Sequence, residues 1–237
     1  MEETALVFSP LPGAGHLVSS VELAKRLLEK QQCFSITVLL MHPRLPSTKS
    51  AITSSTTSYV QSVALSNPSI HFVDLPLVDF AYQNNQNLMT FISLFIDMHK
   101  SHVKEAIKRI SSSSSSLPTR IAAMIMDFFS TTMIDVGKEL GIPTYIYVPS
   151  GAALLGLMLY VPTLDVKIPC EFKDYQGDVE VPGMLPMPPL VMPEPFMDKK
   201  TDAYGHFVSH GRRFRETDGL IVNTFAELEP TELKSVT

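Results

Sequence analysis

Short apolar runs rich in β-branched residues alternate along the chain with longer stretches of helical period. Ala5–Ser9, Ser35–Met41, Ile70–Leu75, Ile121–Met126 and Thr144–Val148 read as strands. Between the first two, Leu17, Val21, Ala24 and Leu28 recur at spacings of four, three and four, which lines them up on one face of a helix. Leu88–Ile110 and Thr131–Leu140 read as further helices, and Gly141-Ile142-Pro143 stops the latter. Strands alternating with helices imply βαβ units, whose crossovers are right-handed. The predicted fold class is therefore α/β, an open, doubly wound parallel sheet with strand order 3-2-1-4-5.

Two stretches interrupt the pattern. The Ser-rich segment 111–119, with Ser111–Ser116 at its centre, has no apolar surface to bury and is expected to be a surface loop. Residues 162–195 hold eight of the chain's 18 prolines, a density expected to forbid regular helix or central strand. A long ordered loop over the carboxyl edge of the sheet is expected there. Beyond it, Thr201–Thr217 reads as a helix, Gly219–Asn223 as a sixth strand and Glu227–Val236 as the start of another helix.

Composition narrows the function classes. The 237 residues carry 19 Lys and Arg against 24 Asp and Glu, a formal net charge of −5. No basic stripe exceeds Arg212-Arg213 with Arg215, so a nucleic-acid partner is not expected. An apolar fraction of 45% with 18% charged residues excludes a mainly disordered chain. The acidic start Met1-Glu2-Glu3-Thr4 does not resemble a secretory signal, and the apolar stretch Gly151–Val161 is short of the ~20 residues of a membrane span. Cys33 and Cys170 alone make no disulfide framework or metal knuckle. A cytoplasmic protein with free thiols is expected.

The chemistry concentrates after the first strand, in Ser9-Pro10-Leu11-Pro12-Gly13-Ala14-Gly15-His16-Leu17. A dinucleotide fingerprint would need glycine where Val18 stands, and an acidic residue where Met41-His42-Pro43 ends the second strand. A nicotinamide-dependent oxidoreductase is disfavoured accordingly. A P-loop would need a lysine, and none precedes Lys25. The remaining reading makes His16 the chemical group. In the order 3-2-1-4-5 the first and fourth strands are neighbours, so His16 should face Asp127 of Met126-Asp127-Phe128-Phe129 across the switch point. An aspartate on one ring nitrogen would fix the tautomer and leave the other nitrogen free to take a proton. The helix amino end disfavours imidazolium while the aspartate favours it, and the sequence leaves that balance open.

Other histidines carry less. His206 and His210 have the spacing of a zinc pair, but Phe207 stands where a metalloprotease needs glutamate, and a solvated helix face explains them. His99 and His102 take the same explanation, and His42 and His71 read as surface or capping groups.

Three segments together resemble plant family-one UDP-dependent glycosyltransferases, which glucosylate phenols, flavonoids and terpenoids. They are Ser9–Leu17, Met126–Phe129 with Met133-Ile134-Asp135-Val136, and Arg212–Thr217 leading to Asn223-Thr224-Phe225-Ala226-Glu227-Leu228-Glu229-Pro230. The resemblance implies the amino-terminal half of a GT-B fold of two Rossmann-like domains. Residues 1–237 would be the acceptor-binding domain, and the donor domain, whose signature begins with tryptophan, would be absent from this Trp-free chain. It also implies inverting transfer of a sugar, with His16 as general base and Asp127 as its support. UDP-sugar, with UDP-glucose expected, is the co-substrate; no other cofactor and no metal is implied.

By the same resemblance, donor contacts from this half would be the backbone around Ala14 and Gly15 and the hydroxyl of Ser150. An apolar acceptor pocket is expected from Gly15, Met89, Phe128 and the loop Met184–Phe196, with Phe196 at its end. Leu154 and Leu155 are read as core rather than pocket. The competing function is a non-catalytic module that binds a small metabolite and lacks the donor site.

Overall fold

The computed structural model describes residues 4–31, 33–44, 51–83, 87–112 and 119–236, the side chains of 51–55 excepted. The chain divides into two compact units, Met1–Tyr147 and Val148–Thr237.

The first unit is a parallel sheet wrapped by helices. Its strands are β1 (Thr4–Ser9), β2 (Phe34–Leu40), β3 (Ile70–Asp74), β4 (Arg120–Asp127) and β5 (Thr144–Val148), in the order β3-β2-β1-β4-β5. That is the order read from the sequence, and each strand lies within one residue of its expected bounds. Ala5, Val7, Ile36, Val38, Leu39, Met124, Met126 and Ile146 are wholly buried, as expected of strands covered on both faces. The register shifts between the Ala5 and Leu6 pairings, where β4 carries one extra residue. Met126 therefore stands opposite Ser9, and Asp127 is the residue that emerges at the rim.

Helix α1 (Ala14–Lys30) buries Leu17, Val21 and Ala24 along the predicted face, while Leu28 is half-buried. A further helix, α2 (Ala51–Ser66), lies between β2 and β3. Its sequence is rich in Ser and Thr, whose side chains compete for backbone hydrogen bonds, so the apolar period there is too weak to read. The segment expected as one helix over Leu88–Ile110 is two, α3 (Leu88–Met98) and α4 (Lys100–Ser112). His99 makes the break. Its ring Nδ1 donates to the Phe95 carbonyl at 2.8 Å, the acceptor its own N–H would use in a continuous helix, and that N–H turns to Ile96 O instead. His99 is therefore interior rather than on a solvated face, and burial lowers its pKa. A 3-10 turn, Thr131–Met133, leads into α5 (Ile134–Leu140), which ends at Gly141 in the left-handed conformation, φ 65°. Of the Ser-rich segment, residues 113–118 lie outside the described residues.

The second unit is built on α6 (Ala152–Lys167) and α7 (Asp202–Arg213), with the short strand β6 (Gly219–Val222) and α8 (Pro230–Val236). The expectation that proline excludes helix from residue 162 onward is corrected here, because α6 runs through Pro162 to Lys167. Proline removes the N–H that would bond the Met158 carbonyl, and α7 meets that gap with Gly211, where a Cβ would collide with the Met158 carbonyl and crowd the Pro162 ring. Beyond α6, residues to Phe196 form 3-10 turns and one antiparallel bridge, Val179 to Met187. His210 is also interior, which corrects the solvated-face reading; burial first, then His206 and Arg213, push its pKa down to about 3.

Candidate functional site

The loop after β1 is shaped by Gly13, at φ 144° and ψ 143°, a conformation that side-chain-bearing residues rarely adopt. Gly13 is the N-cap of α1 and has no side chain to cap it, so the first turn, with Ala14 and Gly15 exposed, carries no side-chain cap. Leu17 N–H closes the first turn on Gly13 O at 3.0 Å. His16 is thereby fixed at the rim, its Cδ2 within 3.9 Å of where a Gly13 Cβ would stand.

Asp127 comes to His16 from β4. The His16 Nδ1 to Asp127 Oδ2 distance is 2.6 Å across 111 positions of sequence. The other carboxylate oxygen, Oδ1, accepts the Phe129 N–H at 3.2 Å, so both oxygens are held. The aspartate side chain is 0% exposed and the histidine 28%, which leaves Nε2 as the ring nitrogen available to a ligand. Burial draws the imidazole pKa down, but the hydrogen bond to Asp127 and its charge outweigh burial, and the net shift is upward from 6.5. Phe128 lies behind the pair: its ring stacks on His16 with centroids 6.0 Å apart and meets Phe129 in a tilted contact at 4.0 Å.

A cavity of about 700 Å³ opens beside this loop, in the first unit. Its wall is mostly apolar, with Leu11, Leu39, Leu40, Val60, Phe72 and Ile92 prominent, and Gly13 and Leu17 join it to the turn that carries His16. Among the described residues two ionisable side chains also line it, His42 after β2 and Asp74 at the end of β3, and they contact each other at 2.6 Å.

Met89 is half-buried in the first turn of α3, where its N–H is capped by Asn87 Oδ1 at 2.8 Å; the cavity takes Leu88 and Ile92 from that helix instead. Phe128, 5% exposed, backs the imidazole rather than opening onto the cavity. In the second unit Phe196 is wholly buried, its ring 4.8 Å from that of Phe207, so it offers no surface to a ligand. Leu155 is buried, in keeping with its reading as core.

Ser150 precedes α6, and its Oγ is buried with no hydrogen-bond partner among the described residues. The cap of α6 is Glu229, whose carboxylate accepts from Ala152 N at 2.7 Å, Ala153 N at 3.0 Å and the Thr224 hydroxyl. The Thr224 hydroxyl and these two amides hold the Glu229 pKa below the ordinary carboxylate range.

The reading of His42 as a surface or capping group misses its pairing with Asp74. The signal that finds it is the one that found His16 and Asp127: ionisable residues at the carboxyl ends of adjacent strands. Among the described residues, no group of three or more His, Cys, Asp and Glu side chains could hold a metal ion, and no helix is long and apolar enough to cross a membrane.

No family model matches the chain. Among curated proteins, UDP-glucose flavonoid 3-O-glucosyltransferase 6 of Fragaria ananassa is 39% identical over 240 residues, which is 98% of this chain and 47% of that protein. Among solved structures, a Polygonum tinctorium UDP-glucosyltransferase capable of glucosylating indoxyl, in complex with 3,4-dichloroaniline, matches with a TM-score of 0.87 and 31% identity over 98% of this chain and 49% of its own. Medicago truncatula UGT71G1 complexed with UDP-glucose matches with a TM-score of 0.85 and 32% identity, over 99% and 48%. The chain spans about half the length of the relatives it matches.

Proposed function

The chain belongs to the plant UDP-glycosyltransferases, as the amino-terminal half of a GT-B fold, and from that premise we propose that it holds the acceptor and supplies the general base for sugar transfer. The donor is a UDP-sugar, UDP-glucose in our reading, and the acceptor a small phenolic, flavonoid or terpenoid hydroxyl. The observation that carries this reading is the 2.6 Å pair of His16 and buried Asp127 beside an apolar cavity of about 700 Å³.

The chemistry follows from that pair. A phenol of pKa ~10 does not ionise unaided near neutrality. His16 Nε2 takes the hydroxyl proton as the acceptor oxygen bonds the anomeric carbon, and the bond from that carbon to UDP breaks on the opposite face, inverting the centre. Nδ1, held by Asp127 Oδ2, keeps its hydrogen, so the charge formed on the ring lies against a carboxylate. Such positioned base catalysis contributes ~10² to 10⁴-fold.

In this reading the first-turn N–H groups at Ala14 and Gly15 face the diphosphate, a role suited to an uncapped helix amino end. Ser150 adds a hydroxyl, and its freedom supports the assignment, because Glu229 rather than Ser150 caps α6. Stabilising the departing UDP falls mainly to a donor domain outside these 237 residues. No metal takes part in this scheme.

The test is to supply the chain with a phenolic acceptor and UDP-glucose, with and without a separately expressed donor domain from a relative. Product in the mixture that disappears with His16→Ala supports the proposal. Product undiminished by that substitution ends the proton-abstraction role. Acceptor binding with no turnover in any mixture makes the chain a metabolite-binding module instead.

A further inference from the structure

The cavity has a second polar point, at the ends of β2 and β3. These strands pair in register with Leu40 opposite Asp74, and Leu75 N–H bonds Leu40 O at 2.9 Å. His42 and Asp74 therefore extend past adjacent strand ends and meet, Nε2 to Oδ1, at 2.6 Å. Their side chains are 37% and 73% exposed, a setting in which ion pairs contribute little to stability. Arg44, two residues on, does not neutralise the pair but reaches Asp79 at 3.2 Å.

The chemistry of the pair is selective. When the imidazole is neutral, its Nε2–H donates to the Asp74 carboxylate and the ring Nδ1 is an acceptor. The second carboxylate oxygen, Oδ2, is an acceptor too. Two acceptors in a mostly apolar wall favour a ligand group that brings its own O–H and disfavour a carboxylate or phosphate.

We propose that His42 and Asp74 form a second recognition point for the acceptor, taking a hydroxyl remote from the one presented to His16. The proposal rests on the reading of the cavity as the acceptor pocket. It makes the preferred ligand an aromatic compound with hydroxyls at two ends. The hydroxyl held at His42 is withheld from His16, so the pair also selects which hydroxyl receives the sugar.

The test measures binding to the 237-residue chain by calorimetry, with two flavones as probes. One has a hydroxyl at each end of its ring system and the other lacks the hydroxyl at one end. The two-ended flavone is expected to bind up to about tenfold more tightly, the effect of one additional well-made hydrogen bond. His42→Phe and, separately, Asp74→Asn should bring the two affinities together. In the unsubstituted chain, the His42 ring resonances should shift further with the two-ended flavone than with the other. A preference that survives both substitutions, or equal ring shifts, overturns the second recognition point while leaving the cavity reading intact. Binding of neither flavone to the unsubstituted chain overturns both.

Discussion

Among the described residues of the first unit, two imidazole–carboxylate contacts have the same length and differ in how they are surrounded. His16 and Asp127 meet at 2.6 Å with the carboxylate wholly buried, its second oxygen held by a backbone N–H and a phenyl ring stacked behind the imidazole. His42 and Asp74 meet at the same 2.6 Å along the cavity wall, with the carboxylate 73% exposed. Burial decides what each pair can do. A charge in low dielectric acts strongly on its partner, so Asp127 can raise the His16 pKa against the cost of desolvation. A solvated pair keeps its lone pairs accessible and suits recognition rather than proton transfer.

The largest expected difference is in turnover when the chain is combined with a separately expressed donor domain. His16→Ala should lower kcat by ~10² to 10⁴-fold, the usual contribution of a positioned base. His42→Ala should act chiefly on KM, and only for acceptors with a second hydroxyl. Equal losses of kcat from the two substitutions would erase the distinction between them.

Stability should separate the pairs next. Asp127→Ala strips the Phe129 N–H and the His16 ring of their partner and should cost about 1–3 kcal/mol, whereas Asp74→Ala should cost under about 1 kcal/mol. Thermal unfolding of both variants at one pH reads the difference directly, and a larger loss from Asp74→Ala would contradict the assignment of burial.

A smaller effect is the pH dependence of that stability. The folded His16 pKa is raised, so the pair's contribution is fully present below about 6.5, the unfolded value, and is lost as pH rises through the folded value. The margin of the unsubstituted chain over Asp127→Asn should therefore be widest at mildly acidic pH and narrow upward. A margin that widened with pH would have the wrong sign for this pair.

The strand order and the His16–Asp127 contact were legible in the sequence because both depend on simple periodicity and on the crevice between neighbouring strand ends. What escaped depends on single contacts. The break at His99 required knowing that its ring would take the Phe95 carbonyl, and the passage of α6 through Pro162 required a facing Gly211. Phe196 was assigned to the pocket from its place in an apolar loop, yet an aromatic ring among Tyr204 and Phe207 has more surface to bury in the core than at a rim. From α3 the cavity takes Leu88 and Ile92, which share a face at a spacing of four, and Met89 lies off that face.

Titration of the His16 ring by NMR shows whether Asp127 holds the imidazole pKa up against the pull of burial. In the unsubstituted chain the midpoint should lie above 6.5, and in Asp127→Asn it should fall, because burial then acts without the opposing charge. A midpoint at or below 6.5 that the substitution leaves unmoved would contradict the account.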